Sequence, residues 1–476
     1  MAAISTLSLP NPSSNSTVPW RNPFTSIPFK FNPTWPPPSI ALTANKTRNG
    51  FGDKPARRLV ISAATRSFDV VVIGAGVIGL SIAREFLQRS HLSVAVVDAS
   101  LPCSGATGAG QGYLWMVHRT PGTDIWDLAM RSQRLWQILA ENIEDPLKEL
   151  GWKKTGSLLV GKTTEESDQL KKRVQELLAS GIEAHFMSNS DLEREEPELA
   201  VGREGCGAFL PDDCQLDAYR TVAFIEKVNR LFESQGRYAE FYQDPAVCLL
   251  RSSGQGKVEG IRTDKNTLYG KKAVIVAAGC WSGVLIRELI GTSDCVLDVP
   301  VQPRKGYLLM LENFNFLRLN HGVMEVGYVN HQRISPPGAI DNDHSLSISM
   351  TATLDAKGNL LIGSSRQLAG FDTELDAGIV DRIWQHAQGF FPALKKFSVA
   401  SFKEQRKVRI GLRPYMPDGK PVIGPVPALP NLFLATGHEG GGLSMALGTA
   451  EMVVDMVLDR PLKVDPKPFC IAGRCC

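Results

Sequence analysis

Three stretches of this 476-residue chain predict an α/β fold that opens on a parallel β-α-β unit. "FDVVVIGAGVIGLSIAREFLQRSHLSVAVVDAS" (68–100) sets a glycine-rich turn between two apolar runs of strand length. "VIVAAGCWSG" (274–283) is a third apolar run, which stops at Gly279. "NLFLATGHEGGGLSMALGTAEMVVDMV" (431–457) reads as strand, glycine turn, then a helix beginning near Leu443. Short apolar runs alternating with helix-period segments are the pattern of a parallel sheet covered on both faces.

The first element is a buried strand starting near Phe68, and Gly74, Gly76 and Gly79 then give G-x-G-x-x-G. Gly74 permits the tight turn, Gly76 lets backbone approach a pyrophosphate, and Gly79 allows close packing of helix on strand. The helix N-terminus that follows attracts the same anion. The second strand ends in Asp98, 19 residues after Gly79, where a carboxylate accepts hydrogen bonds from a ribose hydroxyl. This fingerprint fits a dinucleotide and does not by itself separate NAD from FAD.

Next, "CSGATGAGQGYLW" (103–115) supplies small residues and glycines that let backbone amides approach a flat ring. Residues 244–283 read as a meander of three short strands feeding a further strand that ends at Gly279. The helix near Leu443 presents its first-turn amides to whatever lies at the preceding turn. There a flavin ring would have its reduced, anionic form stabilised. "IGLRPYMPDGKPVIG" (410–424) surrounds one arginine, Arg413, with three prolines and three glycines. Proline fixes its own φ and restricts the residue before it, so Arg413 sits on stiffened chain, suited to holding an anion.

In this order, these blocks resemble the glycine oxidase/D-amino-acid oxidase family of FAD-dependent oxidoreductases, over roughly residues 68–462. The resemblance implies a Rossmann-like, glutathione-reductase-type FAD domain interleaved with a substrate domain on an antiparallel β-sheet. The expected FAD-binding segments are 66–154, 204–292 and 400–465, and the substrate segments 155–203 and 293–399. It also implies non-covalent FAD held by Val77, Ile78, Asp98, Ala99, Ser104, Gly105, Ala109, Gly110 and Gln111. Val247 would touch the adenine region; Gly279 ends its strand at the cofactor. His438, Glu439, Gly440, Gly441, Gly442, Leu443 and Ser444 would wrap the flavin.

The implied chemistry is hydride transfer from an amine-bearing carbon to the flavin, giving an imine that water hydrolyses. Orientation does most of that work, so no Ser-His-Asp set or acid pair is required. A substrate carboxylate needs a bidentate cation, and Arg413 occupies the family position that supplies it. The family's second arginine is replaced by Gly440, and its substrate-contacting tyrosine aligns with Met350 or Thr351. Gln111, Thr351 and Arg366 are further expected substrate contacts, and His118 and Glu439 are possible acid/base groups. The expected substrates are small amino acids or secondary amines (D-amino acids, glycine, sarcosine, opine-like amines), with oxygen or another acceptor taking the electrons. An alternative is an FAD-stabilised assembly factor without turnover. An NAD(P)H-dependent flavin hydroxylase or reductase is disfavoured because only one full G-x-G-x-x-G is visible.

Composition sets the remaining bounds. Residues 1–65 hold seven Lys/Arg against one acid, leaving a net of about −3 elsewhere and no nucleic-acid-type basic patch. The same stretch has 15 Ser/Thr and 10 Pro, the composition of a transit peptide, plastid in preference to mitochondrial. The longest apolar run, 70–80, is too short to span a bilayer. Nine cysteines lack metal-ligand spacing, so no metal is expected. Three of them crowd a tail, 466–476, that reads as frayed.

Overall fold

The computed structural model describes residues 64–475 apart from 253–255, 291–296, 331–345 and 403–405. Nearly all of the segment read as a transit peptide, and Cys476, lie outside the described residues.

Two eight-stranded sheets organise the chain. The first runs Val422–Pro425, Leu432–Thr436, Asn266–Val276, Ala64–Ile73, Val94–Asp98, Tyr238–Tyr242. Its last five strands are parallel, and Val422–Pro425 is an antiparallel edge. Strands buried on both faces need apolar residues at every position. Accordingly Val70 and Val72 enter one core while Val71 and Ile73 enter another. Helices Val77–Arg89 and Gly442–Val457 contribute to the first of these cores, which brings both glycine turns to the same sheet.

The expected meander is simpler than its sequence suggested. Ala246–Arg251 and Val258–Thr263 are separate strands, but the third short strand and the one after it are a single strand, Asn266–Val276. Gly270 marks a β-bulge rather than a turn, because pairing with the first strand slips between Phe68↔Gly270 and Val70↔Ala273.

The second sheet runs Arg406–Tyr415, Gln302–Leu311, Leu360–Leu368, Ser347–Leu354, Gly322–Glu325, Ser157–Gly161, Cys206–Leu210, His185–Met187. It is antiparallel except where Gly322–Glu325 meets Ser157–Gly161. Two of its strands, Cys206–Leu210 and Arg406–Tyr415, fall in segments that the sequence assigned to the FAD-binding part. Alternation divides its faces. Tyr307, Leu309, Leu311, Met350 and Ala352 pack under helix Ala377–Gln388. Residues of opposite parity, among them Gly306, Thr351 and Arg413, line the other face.

The tail is docked rather than frayed. Phe469 and Ile471 are buried, and the Arg474 guanidinium donates to Asp418 and to the Lys420, Pro421 and Pro468 carbonyls. Apolar anchors on either side of Cys470, together with one multidentate arginine, hold the segment down.

Candidate cofactor and substrate site

The glycines of the first turn have different duties. Gly74 has φ +118°, and a Cβ there would overlap the Ala277 carbonyl. A Cβ on Gly79 would overlap the Gly74 carbonyl. Gly76, at the head of the Val77–Arg89 helix, faces only the Thr107 hydroxyl, 3.3 Å from where a Cβ would sit. Protein packing thus requires Gly74 and Gly79, whereas the opening at Gly76 suits a ligand's close approach. Thr107 Oγ1 accepts the Val77 N–H at 3.2 Å, since Gly76 offers no side-chain cap.

Asp98 is more engaged than its expected ribose role required. Its carboxylate accepts the N–H of Ala75 at 2.6 Å and of Ser100 at 2.7 Å, tying the second strand's end to the glycine turn. Burial pushes its pKa up against the pull of these two bonds. Ala99 beside it is exposed. Val247 is 41% exposed and follows Asp244, whose N–H reaches the Asp98 carbonyl at 3.0 Å.

The 103–115 stretch forms a short helix, Ala106–Ala109, on the second sheet. Gly411 admits it, because a Cβ there would lie 2.7 Å from the Ala109 Cβ. Arg409 Nη1 donates to the Gly110 carbonyl at 3.2 Å. Gln111 has its amide committed: Oε1 accepts from Thr351 at 2.8 Å and Nε2 donates to Thr353 Oγ1 at 3.2 Å. Two of the expected substrate contacts, Gln111 and Thr351, therefore dock the loop on the sheet. Ser104 is exposed and Gly105 half-buried, with Trp281 beside Gly105.

The second glycine turn closes the same region. Thr436 Oγ1 donates to the Gly279 carbonyl at 2.7 Å, joining two strand ends. Gly441 leaves room for Arg119, whose Nη2 donates to Ser444 Oγ at 3.4 Å. Gly442 has open space around it, and the Leu443 carbonyl accepts Trp136 Nε1–H at 3.0 Å. His438 is buried against Thr449 Oγ1 at 2.9 Å, and burial pushes its pKa down to about 3, so the imidazole is neutral.

Charge gathers between this turn and the second sheet. Arg413 makes one hydrogen bond among the described residues, Nη1 to the Ser365 carbonyl at 2.9 Å. It lies over Gly306, where any Cβ would collide with the guanidinium. Arg366 is 2% exposed, and none of its guanidinium nitrogens has a partner in good hydrogen-bond geometry among the described residues, although the Tyr328 hydroxyl and Glu439 both act on its charge. It stacks on the Tyr328 ring, 4.0 Å from the centroid. Arg304 stacks on Tyr415 and approaches Glu439 Oε1 to 3.9 Å. Glu439 adopts φ +45°, unusual for a side chain with a Cβ, and accepts the Gly440 N–H on Oε2. Burial pushes this carboxyl up, but Arg413, Arg366, Arg304 and the Gly440 N–H outweigh burial and hold it below the usual range.

Two tyrosines stand beside Gly440, although the aligned position carries none. Tyr328 and Tyr113 share a hydrogen bond between hydroxyls, and the Tyr328 oxygen would lie 3.4 Å from a Cβ on Gly440. Met350 instead points into the core beneath the sheet. Tyr328 comes from the short helix Val326–Asn330, and no pattern in the sequence marked it. His118 packs edge-on against both tyrosines, and burial beside Arg119, Arg173 and Arg366 pushes its pKa well down. It is a neutral ring at neutral pH. Arg304 was legible in principle, because alternation along "QPRKGYLLML" puts it on the face of Gly306.

FAD fits these residues: two glycine-rich turns, a helix N-terminus at each whose N-cap glycine supplies no side-chain cap, and a buried cationic face on the second sheet. Comparison with known proteins agrees. The chain is 25% identical to glycine oxidase from Geobacillus kaustophilus over 409 residues, 85% of this chain and 97% of that one. It is 24% identical to hydrogen cyanide synthase subunit HcnC of Pseudomonas aeruginosa, covering 86% and 96%. The crystal structure of the Geobacillus glycine oxidase superposes with TM-score 0.70 at 23% identity, over 86% of this chain and 99% of that one. L-proline dehydrogenase from P. horikoshii does so with TM-score 0.70 at 19% identity, covering 86% and 97%. Residues 69–456 match the family described as DAO, FAD dependent oxidoreductase. The chain belongs to that family and is an FAD-dependent oxidoreductase, with its cofactor held non-covalently.

Proposed function

We propose that this oxidoreductase acts on a small amino acid or secondary amine, removing a hydride from the carbon that bears the nitrogen. The observation that carries this reading is Arg413: a guanidinium with one hydrogen bond among the described residues, within electrostatic reach of Glu439 on the cofactor turn. Its planar fork matches a carboxylate, and a carboxylate held there fixes the adjacent carbon. The relatives named above as glycine oxidase and L-proline dehydrogenase support an amine substrate. Bound FAD supplies the hydride acceptor. The substrate carbon loses hydride and the nitrogen a proton, giving an imine that water converts to a carbonyl compound and free amine; oxygen or another acceptor then takes the two electrons. Tyr113, Tyr328 and His118 form an aromatic, uncharged wall near this position. A neutral amine is favoured there, because only a lone pair on nitrogen stabilises the electron-poor carbon.

Anaerobic mixing with glycine, sarcosine, both prolines, D-amino acids and opines tests this directly. At least one should bleach the bound flavin. If none does while FAD remains bound, the chain has a non-catalytic role of the assembly-factor kind. We also infer a plastid location from the hydroxyl-rich, acid-poor composition of residues 1–65. Protein isolated from plastids should then begin near residues 63–67, and an intact Met-Ala-Ala start there would refute it.

A further inference from the structure

Arg366 raises a question that amine oxidation alone does not answer. A buried guanidinium without well-formed hydrogen bonds is costly, and a chain retains one where something else completes it. Its stacking on Tyr328 covers one face of the plane and leaves the N–H groups around the edge available. Arg366 occupies register with Ser347 on a strand next to the one that pairs with Arg413's strand. Ser365, its neighbour, is the residue whose carbonyl Arg413 already holds.

Counting charge sharpens the point. Arg304, Arg366 and Arg413 all act on one carboxylate, Glu439. Arg119 is a fourth guanidinium that feels Glu439, but it stands on the cofactor side, where its Nη2 donates to Ser444 in the first turn of the Gly442–Val457 helix and the hydroxyl leaves its charge in place. His118 is neutral. On the sheet side, and among the described residues, three guanidiniums against one carboxylate leave two positive charges uncompensated. A neutral amine with one carboxylate offsets only one of them. An amine flanked by two carboxylates offsets both.

We propose that the substrate carries two carboxylates, Arg413 holding the one beside the reacting carbon and Arg366 the other. N-(carboxyalkyl) amino acids and acidic amino acids have this chemistry. The proposal rests on the amine-oxidation reading but is tested separately, through binding of unreactive acids. The FAD-loaded protein is titrated with glutarate and succinate, and with butyrate as the monocarboxylate, following flavin absorbance and thermal midpoint. A dicarboxylate should bind at least about tenfold tighter, the increment of one added charged hydrogen-bonded contact. In R366M that preference should fall to about one, while the thermal midpoint without ligand holds or rises because an unpaired buried charge is gone. R366Q, closer in polarity, serves if R366M does not fold.

Equal binding of mono- and dicarboxylates by wild type would overturn the proposal. So would an R366M protein that keeps the preference, or one whose unliganded midpoint drops sharply, as for a structural arginine. Flavin bleaching separates the two readings. Monocarboxylic amines reducing the flavin fastest would leave amine oxidation standing and sink the two-carboxylate site. Preferred dicarboxylate binding without bleaching by any amine would do the reverse.

Discussion

The Gly74–Asp98 turn and the arginine face of the second sheet treat polarity in opposite ways. In the turn the strand end and the backbone satisfy each other: the Asp98 carboxylate takes two N–H groups and the Val97 carbonyl a third. What remains is shape, made by glycines that exclude Cβ atoms. On the arginine face the side chains are large, charged and incompletely paired. Arg366 has no partner in good hydrogen-bond geometry among the described residues, and Glu439 Oε1 has none either. A cofactor that stays bound suits a pre-satisfied cradle, since its affinity comes from fit and from a helix N-terminus. A substrate that must come and go suits charges whose completion is deferred until it arrives. That unpaired charge lowers the fold's stability, with each buried ion costing several kcal/mol by general estimates.

Glycine substitutions give the largest expected effects and divide the cradle itself. Gly79→Val forces a side chain into the Gly74 carbonyl, so the apoprotein should fail to fold or lose several degrees of midpoint. Gly76→Val meets only the Thr107 hydroxyl in the protein, so it should fold and purify colourless. Absorbance ratio and calorimetry on both variants decide the matter. A yellow Gly76→Val protein would show that backbone approach at this position is not needed.

Arg413 comes next. Arg413→Lys keeps charge and loses the fork; one charged hydrogen bond is worth about 1.5–3 kcal/mol, so kcat/KM should fall about ten- to a few hundredfold. Arg413→Met should lose more, with FAD content near wild type in both. Emptying of FAD in both would make Arg413 part of the cradle and erase the contrast drawn above.

The two regions also differed in how much their sequence disclosed. The fingerprint lies within 25 residues of chain, and each glycine's duty follows from turn geometry, so Gly74, Gly79 and Asp98 could be placed by reading alone. The arginine face draws on strands far apart in the chain, brought into register by pairing that no local pattern specifies. Arg413 was legible because prolines and glycines flank it. Tyr328 was not, because a tyrosine in a five-residue helix looks like any core aromatic. Gln111 was read as a substrate contact although its partners, Thr351 and Thr353, lie some 240 residues away. Even the tail misled, since the anchoring of Arg474 to Asp418 is visible only in three dimensions.

Asp98→Ala should have an intermediate effect, larger than a lost ribose contact alone. It strips acceptors from the Ala75 and Ser100 N–H groups, at about 1–3 kcal/mol for each left unsatisfied. FAD affinity, measured by fluorescence titration of apoprotein, should weaken about ten- to a hundredfold. Asp98→Asn, which keeps one acceptor, should lie between. Equal affinity in all three would mean that the turn holds its shape without the carboxylate.

The smallest expected effect concerns pH and again contrasts a satisfied group with an incomplete one. His438 is neutral in the fold, with a pKa pushed down to about 3 by burial, against about 6.5 in an unfolded chain. The unfolded state therefore binds the proton first as pH falls. Stability from this group is complete above about pH 6.5 and is lost progressively toward pH 3. At 1.36 kcal/mol per unit, moving to pH 5 should remove about 2 kcal/mol. His438→Gln cannot titrate and can keep a hydrogen bond to Thr449, so its decline should be smaller than wild type's by about that amount, the remaining histidine contribution coming from buried His118. Glu439 shifts in the same direction for a different reason: arginines depress its pKa, so its contribution is lost only as pH falls through the carboxylate range, below about 4.3. Urea midpoints of wild type and His438→Gln at about pH 7.5 and 5, with FAD content checked at each, isolate the histidine before Glu439 titrates. Parallel decline in the two proteins would mean that His438 is solvated or charged in the folded state, and the cofactor turn would then resemble the arginine face after all.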